Sequence, residues 1–261
     1  MEPSHKQMFK HKGAYFLQDT ITAEYIDSLE NFEIRDSDIF LVTFPKSGTI
    51  WTQNILSLIC HEGHRNGTED TVLIDRVPWL EYIDSNSDYA NRPSLRLFTT
   101  HLPYDLVPKG FKNGRGKIIY VARNPKDVLV SYYHFSKVSV QMEDEEDFDI
   151  FMERFLSGKG LDLRSSVLKI CNFLGKRLTE EELDDIVDKA SFGKMSVDRR
   201  ANYTTMPPEI LDFTKGRFLR KGTVGDWKNT MTVAQSERFD SVFKERMEKL
   251  PFKFCWDSNE F

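Results

Sequence analysis

A buried strand, a tight loop and a helix follow one another directly between residues 39 and 62, and this stretch constrains the fold most. Residues 39–44 form a short apolar run that is typical of a strand covered on both faces. Residues 45–49 have the composition of a turn, and residues 50–62 carry apolar side chains at helical spacing. A strand that passes through a short loop into a helix indicates an α/β fold.

The same arrangement recurs in the middle of the chain. Residues 117–122 predict a second strand, Arg123-Asn124-Pro125 predicts a turn, and residues 126–135 predict a helix. Pro125 would occupy the first helical turn, where its missing N–H group has no helical partner to lose. A shorter β-like piece at residues 95–99 ends just before His101.

The second half of the chain is mainly helical in pattern. Helical spacing appears at residues 148–156, 163–174 and 180–190, and the last of these opens with a capping box from Thr179 to Glu182. We therefore predict a single α/β domain over residues 1–261, with a central parallel sheet flanked by helices in a P-loop-like nucleotide-binding fold. Its core would span residues 30–255, and residues 1–12 are expected to be flexible. Ligands of such sheets bind beyond the carboxyl ends of the strands.

Charge and composition exclude several classes of protein. A net charge of −5 argues against a protein that coats nucleic acid. Three cysteines, Cys60, Cys171 and Cys255, are far apart and form no CxxC pair, which favours reduced thiols over a disulfide framework or a zinc site. The N-terminus lacks the apolar region of a signal peptide, and no apolar run approaches the ~20 residues that span a bilayer. We expect a cytoplasmic protein that does not bind membranes.

The loop after the first strand has the composition of an anion site. It does not match the Walker A pattern, because Lys46 precedes Gly48. A loop between a strand and a helix nevertheless points backbone N–H groups at an anion, and the helix dipole adds positive potential. Gly48 would allow close approach of the backbone, Ser47 and Thr49 would donate hydroxyls, and Lys46 would supply a charge. The alternative is an ordinary turn with a solvated lysine.

A second anion site is predicted at the end of the second strand. Arg123 stands there, beside the start of a helix that carries Ser131, and a guanidinium in that position suits a phosphate. Alternatively, Arg123 is a surface residue paired with Asp127. Near the C-terminus, Arg217, Arg220 and Lys221 precede Gly222, and this basic loop would either close over the same anion or remain a solvated turn.

Together these motifs resemble the cytosolic sulfotransferases over nearly the whole chain. The resemblance lies in Pro45-Lys46-Ser47-Gly48-Thr49 with Trp51, in residues 123–127 with Ser131, in Thr100-His101-Leu102-Pro103, and in residues 220–222 and 225–228. The family's dimer motif is matched by Lys228, Thr232, Val233 and Glu237. Residues 62–65 and 164–168 are most similar to the amine sulfotransferase branch.

The resemblance implies a transferase that moves a sulfuryl group from PAPS to a small phenol, alcohol or amine, in xenobiotic metabolism, without a metal. It implies His101 as general base, where a turn histidine would otherwise be the simpler interpretation, and Lys46 as the group that stabilises charge on the leaving oxygen. The product would be adenosine 3′,5′-bisphosphate (PAP), and the protein would be a homodimer. The implied nucleotide-binding residues are Lys46, Ser47, Gly48, Thr49, Ile50 and Trp51 in the loop, Arg123, Ser131, Arg220, Lys221 and Gly222 at the 3′-phosphate, and Phe192 opposite Trp51 on the adenine.

The chain departs from the family at two places. The family commonly has lysine two residues before the catalytic histidine, and Thr99 stands there instead, which would remove a positive charge from the transition state. After Lys159, roughly 30 residues of the family pattern are missing, about the size of one strand–helix unit. Loss of an inner strand would leave unpaired backbone groups and an apolar hole.

These departures leave competing interpretations open. A shortened chain could bind nucleotide or dimerise without turnover, as a splice-like variant. A nucleoside or small-molecule kinase is a third possibility, although the order of the loop and the lack of a magnesium-binding acidic residue after a strand speak against it. Acceptor-contacting residues are sought among the aromatic side chains Phe16, Trp79, Tyr82, Tyr104 and Phe135, each of which could equally belong to the core.

Overall fold

The computed structural model describes residues 8–18, 21–61, 70–82, 88–139, 148, 167, 170, 171 and 173–247. Its contacts divide the chain into two compact units. The first unit contains Met1–Thr43, Thr49–Tyr120 and Asp162–Met206, and the second contains Phe44–Gly48, Val121–Leu161 and Pro207–Phe261. Each unit is described by itself.

A β-hairpin precedes the sheet. Strand β1 (Met8–His11) pairs antiparallel with β2 (Ala14–Leu17). The two residues between them, Lys12 and Gly13, both have positive φ, 46° and 87°, which suits the tight turn of a two-residue hairpin. Residues 8–11 are therefore in a strand, although residues 1–12 were expected to be flexible; residues 1–7 lie outside the described part.

The central sheet is parallel where its register is defined. Strand β3 (Ile39–Thr43) lies between β4 (Leu97–Thr100) and β5 (Lys117–Val121). Strands β3 and β4 run parallel, with Ile39 opposite Leu97 and Val42 opposite Thr100. This confirms the predicted parallel sheet and places its three strands within two residues of the predicted bounds.

Eight α-helices are described in these ranges. They are α1 (Ala23–Leu29), α2 (Thr49–Cys60), α3 (Leu73–Arg76), α4 (Lys109–Lys112), α5 (Pro125–Ser136), α6 (Glu180–Lys189), α7 (Phe192–Val197) and α8 (Val233–Met247). Short 3₁₀ turns cover Tyr104–Leu106 and Asp226–Asn229. None of the helices in the described ranges has the length and apolar character needed to cross a bilayer.

Local sequence signals set the ends of two of these helices. The Asn124 side chain accepts N–H groups at the start of α5, and Pro125 occupies its first turn as predicted. The predicted capping box of Thr179 and Glu182 is present at the start of α6. The predicted helix at 148–156 lies outside the described residues except for Phe148. The helix predicted at 163–174 is described in part, by helical residues at 167, 170, 171, 173 and 174.

Aromatic side chains fill the core of the first unit. Phe40 on β3 and Phe98 on β4 are fully buried, and their rings stack with centroids 5.3 Å apart. Phe111 from α4 packs on Phe40 at 4.4 Å, and Phe32 meets Phe98 edge-on. Stacked and edge-on phenylalanine rings thus join β3, β4 and α4 in this core.

A buried ion pair ties the start of β3 to the start of β4. Arg96 and Asp38 have side chains that are 1% and 0% exposed, and Arg96 Nε donates to Asp38 Oδ1 at 2.8 Å. Arg96 also donates to the carbonyl oxygens of Tyr89 at 3.0 Å and Glu33 at 2.8 Å. The guanidinium therefore satisfies several buried acceptors as well as the carboxylate.

We expect Arg96→Met to lower the free energy of unfolding by about 3–5 kcal/mol, because it leaves the Asp38 carboxylate buried without its cation. Urea unfolding at neutral pH measures this loss. Arg115→Met is the matched control, since its partner Asp36 is 81% exposed, and it should leave the unfolding midpoint unchanged. The double variant Arg96→Met/Asp38→Leu should be more stable than Arg96→Met alone. A single variant as stable as the wild type would contradict this account.

The second unit packs helix α5 against helix α8. Its core contains Val128, Leu129 and Val130 of α5 with Phe239 of α8. Lys126 adds a polar link, since its ammonium lies 2.7 Å from Asp240 Oδ2 and 2.6 Å from Ser236 Oγ. The start of α5 is thereby fixed in the same unit that holds the loop 44–48.

Candidate active site

The loop that follows β3 has an unusual backbone. Lys46 adopts a left-handed conformation with φ 65°, and Gly48 has φ 99°, while the Ser47 N–H donates to the Phe44 carbonyl oxygen at 3.1 Å. A left-handed lysine is uncommon and costs free energy, which points to a backbone shaped for a ligand. The loop is therefore a built feature rather than an ordinary turn.

Ser47 carries the clearest sign that this loop binds something. Its side chain is 4% exposed, and Oγ has no hydrogen-bond partner within the described residues. Buried hydroxyls are nearly always paired, so an unpaired one calls for a missing partner. A phosphate oxygen would accept from this hydroxyl and would also suit the nearby N–H groups of the loop.

The first turn of α2 holds the next three predicted residues in the first unit. The Thr49 hydroxyl lies 2.8 Å from the Thr43 hydroxyl, and Ile50 is buried. The Trp51 indole N–H donates to the Ala190 carbonyl oxygen, next to the N-cap of α7. Since Phe192 begins α7, this bond brings Trp51 close in the fold to the start of the helix that carries Phe192.

His101 is oriented by the end of β3. Its Nδ1 lies 2.7 Å from the Thr43 carbonyl oxygen and 3.2 Å from the Thr43 hydroxyl. A carbonyl oxygen can only accept, so Nδ1 carries the proton in that bond and Nε2 is the basic nitrogen of the neutral ring. Trp79 packs against the imidazole with ring centroids 4.6 Å apart. The arrangement can accept a proton at Nε2.

Glu81 supports the backbone of His101 and was not identified from the sequence. Its Oε1 accepts the His101 backbone N–H at 2.8 Å, and burial raises the pKa of the Glu81 carboxyl to about 7. Its Oε2 is buried without a hydrogen-bond partner among the described residues. No spacing or motif marks Glu81, because the contact joins positions 20 residues apart.

Thr99 belongs to a buried hydrogen-bond network. Its hydroxyl accepts from Gln53 Nε2 at 2.8 Å, and Gln53 Oε1 accepts from the Tyr203 hydroxyl at 3.0 Å. Tyr203 in turn accepts from the Trp79 indole at 3.3 Å. The residue that replaces the family lysine thus helps to fix Trp79, the side chain that packs on His101.

Arg123 lies in the second unit with the loop 44–48. Its Nη1 donates to the Lys46 carbonyl oxygen at 3.1 Å, and burial lowers the pKa of its guanidinium. Asp127 accepts instead from the backbone N–H groups of Gly225 at 2.7 Å and Trp227 at 3.1 Å. The alternative of a surface Arg123–Asp127 pair is therefore wrong: Arg123 buttresses the left-handed Lys46, and Asp127 anchors the C-terminal loop.

One internal carboxylate pairs with two cations of the basic loop. Asp226 is 3% exposed and accepts from Arg220 at 2.6 Å and from Lys221 at 2.8 Å. Burial would raise the pKa of Asp226, but hydrogen bonds from Lys221, Arg220 and Asn229 outweigh it and lower the pKa. Gly222 has φ 66°, and Arg217 is exposed. Asp226 thus holds the side chains of Arg220 and Lys221 in place. Arg217 is exposed to solvent, as the alternative of a solvated turn expects.

The predicted site residues fall into two sets. The first unit holds Thr49, Ile50, Trp51, His101 and Phe192, and the second holds Lys46, Ser47, Gly48, Arg123, Ser131, Arg220, Lys221 and Gly222. Ser131 is half-buried on α5. In the first unit Thr43 contacts both Thr49 and His101. In the second unit Arg123 contacts Lys46, and Asp226 contacts both Arg220 and Lys221.

A family model for the Sulfotransferase domain matches this chain in two segments, residues 36–161 and 160–251. The match breaks at the position where sequence analysis places the missing residues. This junction lies outside the described residues.

Curated relatives match the chain over its whole length. An amine sulfotransferase of Oryctolagus cuniculus is 47% identical, with 100% of this chain and 97% of the relative covered. That alignment spans 292 positions, so at least 31 of them have no counterpart in this chain of 261 residues. Sulfotransferase 2B1 of Mus musculus is 39% identical over 97% of this chain and 84% of its own.

Solved structures agree. Mouse sulfotransferase SULT7A1 complexed with PAP superposes with a TM-score of 0.75 at 27% identity, covering 94% of this chain and 96% of that chain. A retinol dehydratase structure has the same TM-score at 21% identity, over 94% of this chain and 90% of that chain, which shows a shared fold. The family-model match, the 47% identity to a full-length relative and the shared fold show that this chain belongs to the sulfotransferase family.

Proposed function

We propose that this chain transfers the sulfuryl group of PAPS to a hydroxyl or amine of a small acceptor, with His101 as general base. The observation that supports PAPS binding in this proposal is the buried Ser47 hydroxyl, which has no hydrogen-bond partner among the described residues and lies in a loop with a left-handed lysine. The PAP complex of the mouse relative supports the same class of nucleotide.

In this proposal, separate groups of residues bind the 5′-phosphate, the 3′-phosphate and the adenine of the nucleotide. Ser47, Gly48 and Thr49 hold the 5′-phosphate through N–H and hydroxyl groups, as the loop geometry suits. The 3′-phosphate is held by Arg123, Ser131, Arg220, Lys221 and Gly222. Trp51 and Phe192 enclose the adenine, which the bond from Trp51 to Ala190 supports. Ile50, in the first turn of α2, completes the proposed set of nucleotide-binding residues.

The chemical step forms a bond from sulfur to the acceptor atom and breaks the bond from sulfur to the phosphate oxygen. The acceptor proton moves to His101 Nε2, which is basic because Nδ1 donates to Thr43. Lys46 stabilises the negative charge that develops on the leaving phosphate oxygen. Such a loose in-line transfer depends mainly on positioning and electrostatics, and none of these steps calls for a metal.

The acceptor is proposed to be a small amine, phenol or alcohol, in keeping with the name of the amine sulfotransferase relative. Among the candidate aromatic residues, Trp79 packs on His101 and Tyr82 packs on Trp79 at 5.4 Å, which favours these two. Phe16 is 7% exposed and lies in the core of the first unit, whereas Tyr104 is 70% exposed. A role in cytoplasmic xenobiotic metabolism is part of the same proposal.

A homodimer through Lys228, Thr232, Val233 and Glu237 is also proposed. All four residues are exposed, and Val233 is 75% exposed at the start of α8. An apolar side chain of that exposure on a fixed helix start is available for contact with a second copy.

The segment missing after Lys159 favours one alternative, a chain that binds nucleotide or dimerises without turnover. One assay separates the two functions. Purified protein is incubated with ³⁵S-labelled PAPS and a small amine or phenol, and labelled product is separated from donor. We expect label in the acceptor only when chain, donor and acceptor are all present. Thermal stabilisation by PAP without any labelled product would reject the transferase and support the alternative.

A further inference from the structure

Two aromatic rings enclose the side-chain end of Lys46. Its Nζ lies 3.8 Å from the ring centroid of Phe135 and 4.0 Å from that of Phe218. The rings meet edge to face, with centroids 5.2 Å apart and an interplanar angle of 77°. Phe135 comes from α5 and Phe218 from the stretch before Arg220, so two separate segments of the second unit form this enclosure.

The enclosure matters because the surroundings of Lys46 discourage a charge on its side chain. Burial, together with the nearby cations Arg123 and Arg220, lowers the pKa of Lys46 to about 7. Within the described residues, Lys46 forms no ion pair with a carboxylate, and Asp226 is engaged by Arg220 and Lys221. A lysine that must be an ammonium to stabilise a leaving oxygen therefore needs another attraction.

Aromatic faces supply that attraction without adding negative charge. The ring quadrupole attracts a cation, most strongly where water is excluded. A carboxylate in the same place would repel an incoming phosphosulfate and would neutralise the lysine. Two phenyl rings stabilise the ammonium and leave its full charge available to an anion.

We propose that Phe135 and Phe218 are positioning residues for Lys46. Their rings form an aromatic clasp that keeps the lysine side chain protonated and holds its ammonium group in a fixed position. The backbone of Lys46 is held from the other end, where Arg123 donates to its carbonyl oxygen at 3.1 Å. The role of the clasp in catalysis depends on the proposed sulfuryl transfer, but its effect on the lysine does not.

Competitive labelling with acetic anhydride tests the clasp without any turnover. The reaction of Lys46 is followed by mass spectrometry across pH, and Lys137, which lies 4.7 Å from the Tyr133 ring, is the internal standard. We expect Phe218→Leu and Phe135→Leu each to move the Lys46 midpoint to lower pH by about 0.5–1.5 units, a 3- to 30-fold change in the protonation constant. Phe218→Tyr keeps an aromatic face and should retain the wild-type midpoint.

Turnover gives the second measurement. With PAPS at saturation and a pH about one unit above the wild-type Lys46 midpoint, both leucine variants should lose about 3- to 30-fold in kcat, with a smaller change in PAP affinity. Midpoints that stay in place or rise in both leucine variants would overturn the clasp. A shifted midpoint in a chain that never transfers sulfuryl groups would support the clasp and reject the proposed function.

Discussion

Replacing His101 by alanine is expected to lower the rate of sulfuryl transfer by about 10²–10⁴-fold, the usual contribution of a positioned general base. The structure gives the reason: Thr43 accepts the Nδ1 proton, so that Nε2 is held as the proton acceptor. Alanine keeps the backbone N–H that donates to Glu81 at 2.8 Å, and the loop should therefore keep its place. The labelled-PAPS assay measures the rate.

Two controls separate chemistry from folding. Thermal stabilisation by PAP should be equal in His101→Ala and the wild type, since the proposed nucleotide contacts do not include His101. His11→Ala removes a histidine of the β1–β2 hairpin, whose Nε2 lies 2.7 Å from Asp27 Oδ1. It should leave the rate of sulfuryl transfer unchanged. Added imidazole should restore part of the activity of His101→Ala. A variant that transfers at the wild-type rate would remove His101 from the role of base.

The sequence predicted those features that short-range chemistry decides. The strand, loop and helix around Lys46 follow from apolar runs and turn residues, and the start of α5 at Pro125 follows from the missing N–H of proline. The capping box of Thr179 and Glu182 is another local pattern. Each of these signals joins residues that are at most a few positions apart, where backbone geometry fixes the contact in advance.

The contacts that tune the site join residues far apart in the chain. His101 and Thr43 are 58 positions apart, and Arg123 and Lys46 are 77 positions apart. Only the packed fold decides which carbonyl oxygen meets which ring nitrogen. Asp226 illustrates the limit, because it was part of a quoted motif, yet its bonds to Arg220 and Lys221 were not predicted.

Thr99 in place of the family lysine has two consequences, one for charge and one for hydrogen bonding. From the sequence, Thr99 is expected to remove a positive charge from the transition state, and this stays a prediction. In the fold it is a fully buried acceptor for Gln53, linked through Tyr203 to Trp79. A lysine placed there would meet this network, so the surroundings of position 99 suit a small hydroxyl.

Strand β5 is the part of the described sheet that the missing segment would affect. Among the described strands, β5 has a neighbour on one side only, which is β3. Ile118 and Tyr120 lie on the same face of β5 and are 41% and 60% exposed, whereas β4 is buried throughout. A right-handed crossover from β5 through α5 would bring the next parallel strand beside β5. We propose that the strand expected in the missing segment would pair at this edge of β5.

Restoring that segment is expected to stabilise the chain. The variant carries, between Lys159 and Gly160, the residues of the Oryctolagus cuniculus relative that have no counterpart here, at least 31 in number. Covering Ile118 and Tyr120 and pairing the β5 edge should add about 2–4 kcal/mol to the free energy of unfolding. For a domain of this size, that raises the thermal midpoint by about 5 °C or more.

An insertion of equal length made of glycine and serine is the matched control. A flexible loop adds little closure entropy and covers nothing, so it should leave the midpoint unchanged or slightly lower. The graft alone should also raise the rate of labelled-PAPS transfer, because a covered β5 stiffens the strand that leads to Arg123. If the graft and the glycine–serine insertion have the same thermal midpoint, the open β5 edge does not limit the stability of this chain. The shortened sheet must then be complete in a way that the relatives do not share.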